Sequence, residues 1–385
     1  MVFPRTLAVL AAASALVVGC GHDAARPGPS TTVSKPAAAP PAPPVCGDPT
    51  SLPAALSTRD KLAQLLMVGV KTADDARGVV NGYHVGGIFI GSWTDLSIFK
   101  GPLADIVGSA GPLPLSVSVD EEGGRVSRLR SLIGSSPSPR TLAQTQTPAQ
   151  VHDLAAERGK KMHDLGITID FAPVVDVTDA PDDGVIGNRS FSNDPNTVTA
   201  YAGAYAQGLR DAGVLPVLKH FPGHGHGSGD SHTGAVVTPP LSDLQTVDLV
   251  PYRTLLAANP VGVMVGHLQV PGLTGGDDPA TLSRPAVQLL RDGIGYGAPP
   301  FNGPVFSDDL SSMGAISDRY GVAEAALRTL QAGIDVALWV TTDEVPAVLD
   351  RLEKAVAAGE LSMPSVDQSV VRVATMKGRS RACGH

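Results

Sequence analysis

Short apolar runs rich in valine and isoleucine recur between residues 65 and 340, separated by segments whose apolar residues fall at three- and four-residue steps. This alternation is that of parallel strands wrapped by helices. The runs span residues 66–70, 87–90, 113–119, 169–175, 215–218, 261–265, 305–307 and 335–340. Helical spacing covers 74–83, 148–164, 197–211, 241–258, 285–291 and 344–357. Eight strands predict an α/β fold closed into a single (β/α)8 TIM-like barrel. With no internal repeat and no second linker, residues 58–385 read as one domain.

The chain ahead of the barrel has a different pattern. Arg5 precedes the apolar stretch 7–18 and small residues follow it, the layout of a secretory signal over residues 1–19. The stretch ends Val17-Val18-Gly19-Cys20, which resembles a bacterial lipobox and implies lipidation of Cys20 as the mature N-terminus. An exported protein held to the cell membrane by its acyl chains is expected. Residues 20–57 form an Ala/Pro-rich tether and N-terminal segment that cannot pack a core of its own. Export places the cysteines in an oxidising compartment, where Cys46 and Cys383 form a disulfide across the two ends of the folded part or stay as free thiols.

Composition narrows the function. At 43% hydrophobic and 17% charged residues the chain of 385 has ample apolar surface for a large core. Its net charge of −8 and lack of a basic run exclude nucleic acid as a partner. Aromatic residues make up only 4%, which disfavours a shallow sugar-binding surface of stacked rings. A sugar site in this chain has to rely mainly on hydrogen bonds.

Polar residues sit at the carboxyl ends of the runs: Asp120, the pair Lys219 and His220, His267, and Asp308. In a barrel those ends open onto one face, so side chains far apart in sequence converge on one pocket. Asp120-Glu121-Glu122-Gly123-Gly124-Arg125-Val126, with Arg128 just beyond, puts a carboxylate where it can accept hydrogen bonds from vicinal hydroxyls. Gly187-Asn188-Arg189-Ser190-Phe191 supplies a loop arginine. The segment 219–232, beginning Lys219-His220-Phe221-Pro222-Gly223-His224-Gly225, is a glycine-rich loop crowded with protonatable groups. Within it Asp230 and His232 stand two apart, so an extended backbone lets the carboxylate orient the imidazole for proton transfer. In Phe306-Ser307-Asp308-Asp309-Leu310, Asp308 is placed to attack an anomeric carbon and Asp309 to cap or bind backbone.

Together these motifs resemble glycoside hydrolase family 3, specifically the bacterial β-N-acetylglucosaminidases that act on peptidoglycan fragments. The most specific part is KHFPGHG followed by Asp230-Ser231-His232 and then SDDLS at 307–311. The resemblance implies a retaining hydrolase with Asp308 as nucleophile, His232 as acid/base and Asp230 as its support. It implies that Asp120, Arg128, Arg189, Lys219 and His220 bind the N-acetylglucosamine ring. No cofactor or metal is expected, the partner is carbohydrate, the membrane is met only through the N-terminal lipid, and a monomer is expected.

Two departures stand out: Glu121 replaces the family's usual glutamine, adding charge near the rim, and the approach to the nucleophile strand lengthens over 293–303. His267 and Asp176, also at apparent strand ends, read as supporting residues. Trp93 and Trp339 are candidates for stacking on a sugar or for rim and core packing. Two other readings are a metal-dependent hydrolase using His220, His224, His226, Asp230 and His232, and a lipoprotein that binds amino sugars without cleaving them.

Overall fold

The computed structural model describes residue 46 and residues 48–378. The signal segment, Cys20, most of the tether and Cys383 lie outside the described residues. Cys46 is disulfide-bonded.

Eight strands carry the fold: β1 (Leu66–Val70), β2 (Gly87–Ile90), β3 (Ser116–Val119), β4 (Ile169–Asp170), β5 (Leu215–Phe221), β6 (Gly262–Val265), β7 (Val305–Ser307) and β8 (Ala337–Trp339). They pair in parallel in the order β7-β6-β5-β4-β3-β2-β1-β8. A parallel bridge between Phe306 and Val336 joins β7 to β8 and closes the ring. The fold is therefore a (β/α)8 barrel. Its interior is packed rather than open: Phe171 meets Phe89 at 5.9 Å and Phe306 edge-on at 5.5 Å between ring centroids. Truncating such a buried ring costs about 3–5 kcal/mol. This aromatic layer floors the mouth of the barrel.

Most elements fall where the apolar pattern places them, and the departures have local causes. The run 113–119 pairs only from Ser116, because Pro114 ahead of it has no N–H to give a ladder. The run 169–175 is regular only as far as Asp170, since Pro173 likewise lacks a donor; contact with β5 resumes at Val174, bridged to Lys219. Strand β5 runs past Leu218 to Phe221, so Lys219 and His220 are strand residues. The run 335–340 is a strand only over Ala337–Trp339, because Asp335 instead bonds Arg291, Arg372 and Ser369 at the amino end of the barrel. The helix expected over 241–258 is two short ones, Leu241–Leu244 and Val250–Leu255. Pro251 starts the second, where its missing N–H costs nothing. Asp248, in the break, turns inward.

Three long helices, Pro148–Asp164, Pro195–Asp211 and Met363–Lys377, sheathe the outside. The first opens on a capping box between Thr147 and Gln150. The last was not signalled by the pattern. Its Lys377 reaches the carbonyl of Gly86 and Oε1 of Gln64, 2.7 Å each, and so ties the C-terminal helix to the start of β2.

Candidate active site

A cavity of about 220 Å3 opens at the carboxyl ends of the strands. Asp120, Arg128, Arg189, Lys219 and His220 line it. So do Asp230, His232 and Asp308. All eight side chains that the resemblance assigns to catalysis or sugar binding thus face one space. Its size is below the roughly 300–1,000 Å3 of sites that enclose drug-sized ligands, and suits one sugar ring. A larger cavity, about 710 Å3, lies at the opposite end among Leu115, Ile169, Leu215 and Val261, where the strands begin. Barrel chemistry belongs to the other face.

One wall of the site is a chain of charges. Lys219, at the end of β5, donates to Asp120 at 2.6 Å and lies 2.6 Å from Glu122. Glu122 also receives Nε and Nη2 of Arg189 at 2.8 Å each. Burial opposes ionisation of Glu122, but Arg189 and Lys219 hold it well below the usual carboxylate range. In return, against the same burial, Asp120 and Glu122 raise Lys219, which stays a cation. Nothing in the sequence sets Glu122 apart within its motif. A carboxylate beside paired glycines reads as turn surface, and nothing local reveals that it meets a lysine and an arginine 97 and 67 positions away.

Glu121 is not at the rim. It is fully buried and pairs with Nη2 of buried Arg158 at 2.7 Å. It also accepts from Ser127 Oγ at 2.5 Å and from the amides of Arg128 and Leu129 at 2.8 Å. The extra charge lies inside and secures the short antiparallel hairpin of Glu121–Gly123 and Val126–Ser127 that presents Arg128. Arg128 keeps its Nε without a protein partner. Beneath, Asp170 accepts the Glu121 amide at 2.9 Å, and burial raises its carboxyl well above the ordinary range.

Asp176 organises the next wall. Its carboxylate receives the amides of His220 and His224 at 3.1 and 2.8 Å, and its Oδ2 lies 2.7 Å from His220 Nδ1. That leaves His220 Nε2 facing Arg189 at 3.4 Å and the cavity. Gly225 lies so close to the Val177 carbonyl that a Cβ would collide with backbone, so the loop can fold over the segment after β4 only with glycine here. The remaining imidazoles separate: His226 pairs with Asp248 at 3.1 Å, while His224 touches Ser231 at 3.4 Å. Among the described residues no group of three or more His, Cys, Asp or Glu side chains is placed to hold a metal ion.

Farther along the loop, Oδ1 of Asp230 receives both the backbone amide of His232 (3.0 Å) and its Nδ1 (2.8 Å). Burial works against ionisation of Asp230, yet these bonds lower its carboxyl below the ordinary value. His232 is 63% exposed, its Nε2 left for the cavity. The loop is docked from below by the amides of Gly314 and Ala315, which donate to the carbonyls of His232 and Ser231 at 3.2 and 3.1 Å.

Asp308 follows β7. Its Oδ1 accepts the Asp309 amide at 2.9 Å. Burial alone would raise its carboxyl; His267, His220, the Asp309 amide and Lys219 bring it below the ordinary value. Asp309 turns away and receives the amide of Ser311 at 2.8 Å and of Ser312 at 3.1 Å, fixing the turn. His267 is fully buried between Thr281 Oγ1 (2.8 Å) and the Asp309 carbonyl (2.7 Å), a supporting post for the acidic pair. Trp339 is core, whereas Trp93 is 42% exposed on the rim.

Residues 57–376 match the Glycosyl hydrolase family 3 N terminal domain. The chain belongs to glycosyl hydrolase family 3. Across its whole length, and the whole length of the relative, it is 72% identical to the protein named Beta-hexosaminidase LpqI in Mycobacterium tuberculosis. The solved structure of M. tuberculosis LpqI superposes with a TM-score of 0.87 at 74% identity, over 88% of this chain and 99% of that one. A family 3 β-N-acetylglucosaminidase from Paenibacillus sp. superposes with a TM-score of 0.78 at 33% identity, over 84% of this chain and 62% of that one. As a family 3 member the protein is a glycoside hydrolase.

Proposed function

We propose that the protein is a retaining exo-β-N-acetylglucosaminidase that removes terminal N-acetylglucosamine from peptidoglycan-derived muropeptides through a covalent glycosyl–Asp308 intermediate. Its β-N-acetylhexosaminidase character follows from the family and from full-length relatives of 72% identity that bear the name beta-hexosaminidase. The observation that carries the mechanism is the ionised carboxylate of Asp308 at the end of β7, sharing a single-ring cavity with the Asp230–His232 pair.

Asp120, Arg128, Arg189, Lys219 and His220 hold the sugar by hydrogen bonds. Asp308 attacks the anomeric carbon as the bond to the leaving oxygen breaks, and that oxygen takes the proton from His232 Nε2. Asp230 holds Nδ1–H and stabilises the positive charge that the imidazole carries. In the second half, His232 Nε2 takes a proton from water, whose oxygen attacks the same carbon and releases Asp308. Two inversions give net retention.

The lipobox-like Cys20 supports a place in the cell envelope, tethered by acyl chains. Cys20→Ser is expected to move the protein from the membrane fraction to the soluble one. For the reaction, NMR of the first-formed product from purified muropeptides should show β-N-acetylglucosamine before mutarotation. α-Anomer appearing first would contradict the mechanism, and release from other hexosaminides but not from muropeptides would contradict the substrate class.

A further inference from the structure

Among the described residues, large apolar side chains exposed to solvent are few, and two of them, Trp93 (42%) and Val185 (38%), border the catalytic cavity. A half-exposed tryptophan at the mouth of a polar site leaves apolar area in water that packing elsewhere could have buried.

The ring order of the strands gives it a setting. The charged residues of the site come from the arc β3 through β7, while β8 and β2 contribute only apolar side chains: Leu338, Val340, Phe89 and Trp93. Trp93 is also held still. Thr94 Oγ1 accepts the Gly91 amide at 3.0 Å and donates to the Val70 carbonyl at 2.6 Å, which clamps the turn. The indole lies against Gly91 so closely that any Cβ there would strike it, and its ring is tilted on Phe89 at 6.0 Å between centroids. A flat aromatic face preset in this way pays little entropy when a ligand stacks on it.

Depth decides which ring it meets. Lys219 and Glu122 lie buried in the wall, where the sugar to be transferred is clamped, and the 63%-exposed His232 stands at the rim, where the leaving oxygen must be. Trp93 shares the rim. We infer that Trp93 is the platform of a leaving-group subsite and stacks on a second pyranose ring, the one released on the reducing side of the scissile bond. This rests on the exo-hydrolase reading above and extends it to what lies beyond the first sugar.

The test compares kcat/KM for the β-1,4-linked disaccharide of N-acetylglucosamine with that for methyl β-N-acetylglucosaminide, which has no second ring. Stacking of this kind is worth about 0.5–1.5 kcal/mol, so Trp93→Ala should lower the disaccharide-to-methyl ratio about two- to tenfold. Trp93→Leu, which keeps apolar bulk without a flat face and guards against a folding defect, should lower it similarly, and Trp93→Phe should restore most of it. An unchanged ratio in the Ala and Leu variants, including equal losses on both substrates, overturns the platform alone. A wild-type enzyme that cleaves neither substrate overturns the hexosaminidase reading and the platform with it.

Discussion

Glu122 grips Arg189 with two parallel hydrogen bonds of 2.8 Å, one from Nε and one from Nη2, while its Oε1 also lies 2.6 Å from Lys219. A single buried carboxylate thereby fixes two cations of the cavity wall. Glu122→Gln removes the charge that both cations contact directly and leaves Arg189 only the more distant Asp176 and Asp120, so a loss of about 3–5 kcal/mol in stability is expected. The pH dependence has a definite sign. The folded-state pKa of Glu122 lies below its ordinary 4.5, so its contribution is complete above that value and is lost as pH falls from 4.5 through the folded-state pKa. Urea melts at pH 7 and in steps below pH 4.5 should show the gap between wild type and variant narrowing as acid is added.

Glu121 gives the contrasting case, since it is equally buried but faces Arg158 and the hairpin instead of the cavity. Glu121→Gln keeps most of the hydrogen bonds and loses the charge opposite Arg158. A drop in melting temperature equivalent to about 3–5 kcal/mol is expected, because Arg158 is left buried without its counter-charge, with kcat/KM for a chromogenic N-acetylglucosaminide changed less than about threefold. A large kinetic loss at unaltered stability would show that the hairpin's charge acts on the site directly.

His232 and Asp230 should separate by leaving group. Positioned proton transfer is worth about 10²–10⁴ in rate, so His232→Ala should lose that much with a sugar leaving group and far less with an activated phenol. Asp230→Asn should show the same leaving-group bias, smaller in size, because the imidazole remains but its Nδ1 partner no longer carries charge. Equal losses for both kinds of leaving group in His232→Ala would remove it from the role of acid.

The barrel was legible because parallel strands buried on both faces write continuous apolar runs, and 66–70, 87–90 and 305–307 match β1, β2 and β7 to the residue. Prolines blurred others: Pro173 and Pro251 sit inside runs whose period continues past the point where the backbone can pair. The site residues could be named because strand ends of a barrel converge, so position along the chain stands in for position in space. What the chain does not announce is which charges meet. Glu121 and Glu122 are neighbours of like type, yet one turns down to Arg158 and the other across to Lys219 and Arg189. Asp176 reads from the sequence as a supporting residue, but only the folded loop shows what it supports, His220 and His224 together.

The chemistry proposed here turns on a bond between Asp308 and the sugar. In His232→Ala, deglycosylation lacks its base while an activated aryl N-acetylglucosaminide still glycosylates the Asp308 carboxylate with release of the phenolate, so the intermediate should accumulate. Rapid acid quench and peptide mass spectrometry should then find one N-acetylglucosaminyl group on the peptide that contains Asp308, and none in the Asp308→Ala variant. Turnover of the same substrate with no adduct, or with the sugar attached to another residue, would contradict the account.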